Sequence, residues 1–425
     1  LHKNPFFIGT PVPDEQFIGR GREFKRVIGR IQKGESSAVI GDPHIGKSSF
    51  LKYLLKKGSD NLNRDDGGQW HFFMIDTHNI LGSGFTPKQF WEHALSPIQE
   101  QIEAGAAPSA IADHYQICKT NNFGNITLER FFAQLKKAGW HFVLLIDEFD
   151  ALLHHPVLNS AEFYGGLRAL ASCSGDAFAL VIASRAKLSR LNAITQEFNP
   201  TGSPFFNIFR EVELGPFTEK DVKQLLNLAG DQLDPHDRDG VRILGGCHPY
   251  LLQAAAGVMW EAMKDGNINR LSYVTQTLYR EADHFFSDSW QNWPPELRKA
   301  FTVVGIVHQA YVMEGKFKLS KLIKDLEQLG PELSDLEARG MIAKNSTYHT
   351  GYCVEPEIML TWLADEVVKA VRSDQPFETW LQDREMAGAF LTKTEKETFK
   401  KIIQYGGGLL KQGAGGLIQA LIKKI

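Results

Sequence analysis

The sequence predicts an α/β fold: a parallel sheet covered by helices on both faces. Three observations carry that prediction. An apolar run, Ser37 to Ile40, leads into a loop bounded by glycines, Gly41-Asp-Pro-His-Ile-Gly-Lys-Ser48. A second apolar strand, His141 to Ile146, closes on Asp147-Glu-Phe-Asp150, and a third, Ala177 to Ala183, ends in Ser184-Arg185. Helical stretches separate these strands, and strands alternating with helices pair in parallel.

The loop fits G-x-x-x-x-G-K-[ST] without mismatch, the pattern of a P-loop nucleoside triphosphatase. Gly41 and Gly46 let the backbone turn tightly, so that its N–H groups face an anion. Pro43 lacks an N–H, so it stiffens the turn without donating. Lys47 is placed to reach the outer phosphates and Ser48 to hold Mg²⁺. The nucleotide-binding candidates here are Gly41, Asp42, Pro43, His44, Ile45, Gly46, Lys47, Ser48 and Ser49. A buried strand should not end in Asp-Glu unless something positive compensates the carboxylates. Mg²⁺ and an attacking water supply the reason: Asp147 for the metal shell, Glu148 to orient or deprotonate the water. Asp150 completes the acidic cluster. Arg185, at the tip of a neighbouring strand, can report the terminal phosphate by charge-assisted bonding, or it is a surface arginine. Catalytic candidates are therefore Glu148, Asp147, Lys47 and Arg185, with Ser48 and Asp147 as metal ligands.

Taken in order, residues 1–16 carry three prolines and no periodicity, and read as an extended arm. Phe17-Ile18-Gly19-Arg20 leads into a helix, a turn that suits an adenine pocket or an ordinary helix start. After the loop a helix runs to near Gly58, and residues 59–69 read as a polar loop. Trp70 to Ile75 is a strand closing on Asp76. Residues 86–104, 108–118 and 127–138 read as helical, 192–207 as a loop, and Val212 to Leu214 as a last strand. The nucleotide-binding domain is thus expected over 17–214.

A helical lid is expected over 215–285. Thr218 with Asp221 resembles a helix cap. Pro249 suits a first helical turn, and His248 either faces the nucleotide or is a plain helix-start histidine. Over 286–370, helical stretches followed by a hairpin (341–344 and 352–354) predict a winged helix. The helix before the hairpin carries Asp335 and Glu337 against one Arg339, the wrong sign for a phosphate-facing helix, so it is expected to pack internally. The tail, 371–425, contains a glycine-rich apolar stripe over 402–425, either a linker or a helix docking on a membrane or on its own copies.

A net charge of −3 gives no general case for nucleic acid or anionic membrane. Four scattered cysteines without a C-x-x-C pair suit a reducing cytoplasm and argue against zinc. His154 and His155 read as a solvated pair. No apolar run is long enough to span a membrane. The chain starts at Leu1, so a fragment of a longer protein is expected.

Together, Asn4-Pro-Phe6, Phe17-Ile-Gly-Arg20, the phosphate loop, Asp147-Glu-Phe-Asp150, Ser184-Arg185, Gly215-Pro216 and Gly246-Cys-His-Pro-Tyr-Leu-Leu-Gln253 resemble the STAND class of signal-transduction ATPases, nearest their prokaryotic AAA-like and archaeal-type members. The resemblance covers roughly residues 4–370. It implies a switch, closed with ADP, that exchanges for ATP with Mg²⁺, forms homo-oligomers and controls an attached or recruited effector, as in prokaryotic defence. By the same resemblance Arg20 lies near the adenine, Arg185 senses the terminal phosphate and Pro216 packs on the nucleotide; Ile18, Gly19, His248 and Pro249 are further nucleotide-binding candidates. Many relatives place a winged-helix His against the ADP phosphate. Here the matching region reads Cys353-Val-Glu-Pro-Glu357, and His349 lies several residues earlier. The competing functions are a DNA-handling ATPase of initiator or transposition-helper type, which the acidic helix disfavours, and a membrane effector acting through 402–425.

Overall fold

A computed structural model describes residues 3–66, 68–80, 84–198, 205–312, 324 and 326–363. The glycine-rich tail, and with it the membrane-docking expectation, lies outside the described residues. The chain divides into two compact units: residues 11–42 with 46–214, and residues 1–10 and 43–45 with those from 215.

In the first unit the element order is α1 (Gly21–Ile31), β1 (Ser36–Ile40), α2 (Lys47–Asp66), β2 (Gln69–Asp76), α3 (Pro87–Ala94), α4 (Ser96–Glu103), α5 (Ser109–Thr120), α6 (Asn125–Lys137), β3 (Trp140–Asp147), α7 (Ala161–Cys173), β4 (Phe178–Ser184), α8 (Leu188–Phe198) and β5 (Phe209–Glu213). The strands form one parallel sheet in the order β2-β3-β4-β1-β5. The central strands are apolar on both faces, as a parallel sheet covered twice requires. Phe142, Leu144, Ile146, Phe178, Leu180 and Ile182 join one core with side chains of α3 to α7. Their neighbours Val143, Leu145, Ala179 and Val181 point the other way and are equally buried. Helix α2 covers that second face: Phe72, in register with Val143, lies where a Cβ on Gly58 would be 2.6 Å from its ring.

That contact corrects two readings. Gly58 does not end α2; it lets the helix approach the sheet, and the helix continues through 59–66 with Leu62 buried. Residues 192–198 are also helical rather than loop, because Leu191 and Thr195 bury one side of α8. The histidine pair divides as well. His155 is buried, its Nε2 donating to the Ile80 carbonyl (3.2 Å) and its Nδ1 accepting the Val157 and Leu158 amides. It fastens a turn and is not solvated.

The second unit contains α9 (Glu219–Leu226), α10 (Pro235–Gly245), α11 (Pro249–Lys264), α12 (Arg270–Glu281), α13 (Asp283–Asn292), α14 (Pro295–Val312), α15 (Gly330–Ala338), β6 (Ile342–Lys344) and β7 (Tyr352–Val354). Thr218 and Asp221 close a capping box on α9, and Pro249 takes the first turn of α11. Helix α11 is buried along almost its whole length. The arm accounts for part of that burial. Asn4 donates to the Gly257 carbonyl (3.3 Å), the Phe7 amide donates to Gln253 Oε1 (3.2 Å), and Phe6 is buried.

β6 and β7 pair antiparallel. On α15, Asp335 pairs with Arg339 (3.1 Å) and Glu337 with Lys344 (3.2 Å), while Leu333 and Leu336 are buried. Just beyond the hairpin, burial and the nearby Glu355 charge push the Glu357 carboxyl up to about 8, and its Oε2 is buried without a hydrogen bond. The folded chain therefore keeps a proton there that the unfolded chain releases, and stability falls as pH rises from the ordinary carboxylate range through about 8. Glu357→Gln, which does not titrate, should be more stable than wild type at pH 9 and indistinguishable from it at pH 4 in urea melts. Equal stabilities at pH 9 would refute this.

Candidate nucleotide-binding site

The phosphate loop leaves β1 at its C-terminal end and re-enters the fold as α2. Two residues in it hold left-handed backbone, His44 at φ 62° and Gly46 at φ 100°. A side chain at Gly46 would be strained, and a Cβ there would meet nothing within 4 Å. The space an anion needs is therefore left open beside it. The Gly41 amide is engaged by the Ser184 carbonyl (3.3 Å), which ties the loop to the tip of β4.

Lys47 is buried, and its Nζ donates to the Gly41 and Asp42 carbonyls, both at 2.9 Å. Burial lowers its pKa, and the nearby charges of Glu148, Asp150 and Asp42 oppose that shift. The Ser48 side chain lies close enough to Asp147 to work against the upward shift of its carboxyl. Asp147 is itself buried, and it accepts the Glu148 amide at 3.0 Å. Burial raises its pKa first, and the charges of Glu148 and Asp76 raise it further. Asp76 is in register with Asp147 at the end of the adjacent strand. A crowd of carboxylates with one buried member suits a divalent cation, whose charge removes the reason for the upward shift. Ser48 and Asp147 could hold that ion, and Lys47 with the loop could hold the phosphates, so the residues present fit Mg²⁺ and a nucleotide.

Glu148 also adopts left-handed backbone, φ 52°, and its carbonyl accepts the buried Thr77 hydroxyl at 2.8 Å. Its carboxylate pairs with Arg185 at 3.0 Å. The sequence reading placed Asp76 at its strand's end without assigning it to the site, and it passed over Thr77. The signal was present: β2 is an apolar strand that, like β3, ends in a carboxylate.

On the far side of α2, Gly19 and Arg20 are both left-handed (φ 72° and 61°), and the Arg20 carbonyl accepts the Phe24 amide to open α1. The ring of Phe17, next to Ile18, stacks on Tyr53 of α2 at 4.4 Å. The Ser49 hydroxyl accepts the Val12 amide (3.2 Å), and Asp14 bridges to Lys56 (2.6 Å). The arm after residue 10 is thus fastened to the helix that follows the phosphate loop. Pro216, His248 and Pro249 belong to the second unit. There, His248 is buried with its ring 4.8 Å from Phe285, and Pro216 lies against Gly340.

β4 stands between the loop-bearing β1 and the acidic β3, and loop, metal-ligand candidates and arginine converge at one edge of the sheet. The unit has the α/β fold and the phosphate loop of the P-loop NTPases. No protein-family model matches the chain, and no curated protein matches it. Similar solved structures include the Walker-type ATPase PABY2304 of Pyrococcus abyssi, at 16% identity over 82% of this chain and 96% of that chain, with TM-score 0.49. The ORC2 protein of Aeropyrum pernix, in ADPNP–ADP complexes, is similar at 12% identity over 84% and 96%, with TM-score 0.49. A point variant of RuvB from Thermotoga maritima is similar at 12% identity over 85% and 97%, with TM-score 0.37.

Proposed function

We propose that the chain is an ATP-binding, slowly hydrolysing switch of the STAND kind, assembling with ATP and resting with ADP. The observation that supports it most is the carbonyl-held Lys47 of the loop with the buried Asp147, beside Ser48, at the end of the acidic strand. It brings the phosphate-binding and metal-binding halves of an NTPase together at one point. Bound Mg²⁺ supplies charge neutralisation on the phosphates. Lys47 exchanges its two carbonyl partners for phosphate oxygens, Glu148 orients the water, and Arg185 reads the terminal phosphate.

The resemblance left open how a closed state would be latched. Within the second unit, Arg242 of α10 bonds Glu219 of α9 (2.5 Å) and Glu355 beyond β7. Burial works against the Arg242 charge, but Glu219 and Glu355 more than reverse that and hold it above its ordinary value. Gly246 makes room for Glu355 and Pro356, each about 3.0 Å from where its Cβ would be. Cys247 completes the group, its thiol pushed up to about 12 by burial. With Arg242 bonded to both carboxylates and the thiol protonated, we read the cluster as an ion-pair clasp. It takes the place of the histidine latch, fastening the helix-and-hairpin segment, read as a winged helix, to the lid helices. Arg242→Met should destabilise the chain by about 2 kcal/mol, since it leaves two carboxylates facing each other. It should also raise assembly in the presence of ADP. Wild-type stability in urea melts would remove the clasp.

Light scattering with ADP and with a non-hydrolysable ATP analogue tests the switch. The expected result is a small species with ADP and a larger homo-oligomer with the analogue. One size in both, with nucleotide bound, would sink the switch. The paired charges of α15 fit internal packing; salt-dependent DNA binding by the full chain would favour the DNA-handling alternative instead.

A further inference from the structure

Asp150 uses both carboxylate oxygens on the tip of β4. Oδ1 accepts the Ser184 hydroxyl, and Oδ2 accepts the Arg185 amide at 2.8 Å. The Ser184 oxygen in turn accepts the Ala186 amide at 3.0 Å, so the tip is held from both sides. From there the Arg185 guanidinium returns to Glu148, two residues before Asp150, with Nη2 at 3.0 Å from Oε2. Two strand ends therefore close into one ring, Glu148–Arg185–Asp150. Asp150 grips the arginine by its backbone, and Glu148 meets it by its side chain.

The two bonds differ in kind. Those from Asp150 go to main chain and to a serine hydroxyl, and they fix where residue 185 starts. The bond to Glu148 is an ion pair whose arginine side chain is 54% exposed and whose glutamate is 27% exposed. Solvent reaches both partners, so the pair is weak and readily exchanged. A terminal phosphate offers a guanidinium more charge and more acceptor oxygens than one carboxylate does.

We propose that Asp150 is a positioning residue that aims Arg185, so that Arg185 holds Glu148 until a terminal phosphate takes its place. The same exchange that recognises the triphosphate then frees the Glu148 carboxylate for water. This rests on the ATP reading above, and it adds a coupling between recognition and release at one arginine.

The test uses the full chain. Affinities for ADP and for a non-hydrolysable ATP analogue, and kcat and KM with Mg²⁺-ATP, are measured for wild type, Asp150→Asn, Arg185→Ala and the double variant. In Asp150→Asn the ratio of analogue affinity to ADP affinity should fall about tenfold, the loss of one aimed charge-assisted contact. ADP affinity itself should stay within about twofold, because a general loss of structure would lower both. The double variant should match Arg185→Ala, because Asp150 acts through Arg185. An unchanged ratio in Asp150→Asn, or losses that multiply in the double variant, would overturn the proposal. If Asp150→Asn fails to fold, Ser184→Ala removes one of the two anchors and should show a smaller loss in the same direction; no loss overturns the proposal equally. Lys47→Ala separates the two levels. If it binds nucleotide as wild type does, the ATP reading falls and this proposal with it. If binding depends on Lys47 while Asp150→Asn behaves as wild type, only the Asp150 assignment falls.

Discussion

Lys47→Ala should abolish nucleotide binding, lowering affinity by about a hundredfold or more, the worth of two charge-assisted hydrogen bonds to phosphate. The loss is expected to be large and confined to binding. Lys47 is the buried cation of the loop, and its Nζ is held by the Gly41 and Asp42 carbonyls. On the proposed reading, phosphate oxygens would replace those carbonyls with acceptors that carry charge. Removing the ammonium relieves a buried charge but takes a hydrogen-bond donor away from two carbonyls, so the two effects on folding oppose each other. The melting temperature should therefore move by only a few degrees. Isothermal titration with ADP and a thermal melt on the same sample check both halves. Tight binding by the variant would place the nucleotide elsewhere.

Glu148→Gln should keep ATP and lose turnover. The amide has the carboxylate's shape and leaves the left-handed turn at φ 52° and its Thr77 anchor in place. It cannot take a proton from water, and losing a positioned base costs about 10²–10⁴ in rate. Affinity should stay within about threefold, since Glu148 faces Arg185 rather than the loop amides. Single-turnover hydrolysis beside equilibrium binding decides it. Turnover at the wild-type rate would take Glu148 out of the chemistry.

Much of this was legible in the sequence because it rests on local chemistry. The loop pattern fixes a strand, a turn and a helix start within a dozen residues, and a buried apolar run ending in Asp-Glu calls for a cation beside it. The sheet's double burial shows in the uninterrupted apolar stretches of β3 and β4. What escaped depends on tertiary contact. Gly58 resembled a helix stop because nothing local shows the Phe72 ring beside it. His155 resembled its exposed neighbour until Ile80, from another turn, supplied an acceptor. Asp150 was grouped by proximity in sequence with the acidic pair, yet its oxygens serve β4. The arm read only as extended because its partners, Gln253 for Phe7 and Ser49 for Val12, lie far away in sequence. The clasp of Glu219, Arg242 and Glu355 joins three segments that share no motif.

A crystal structure with Mn²⁺ and a non-hydrolysable ATP analogue tests the central claim most directly. The account predicts an anomalous peak at Ser48 and Asp147, with the phosphates wrapped by the loop amides and Lys47 turned onto them. An analogue bound away from the loop, or a metal peak that Asp147 does not touch, would contradict it.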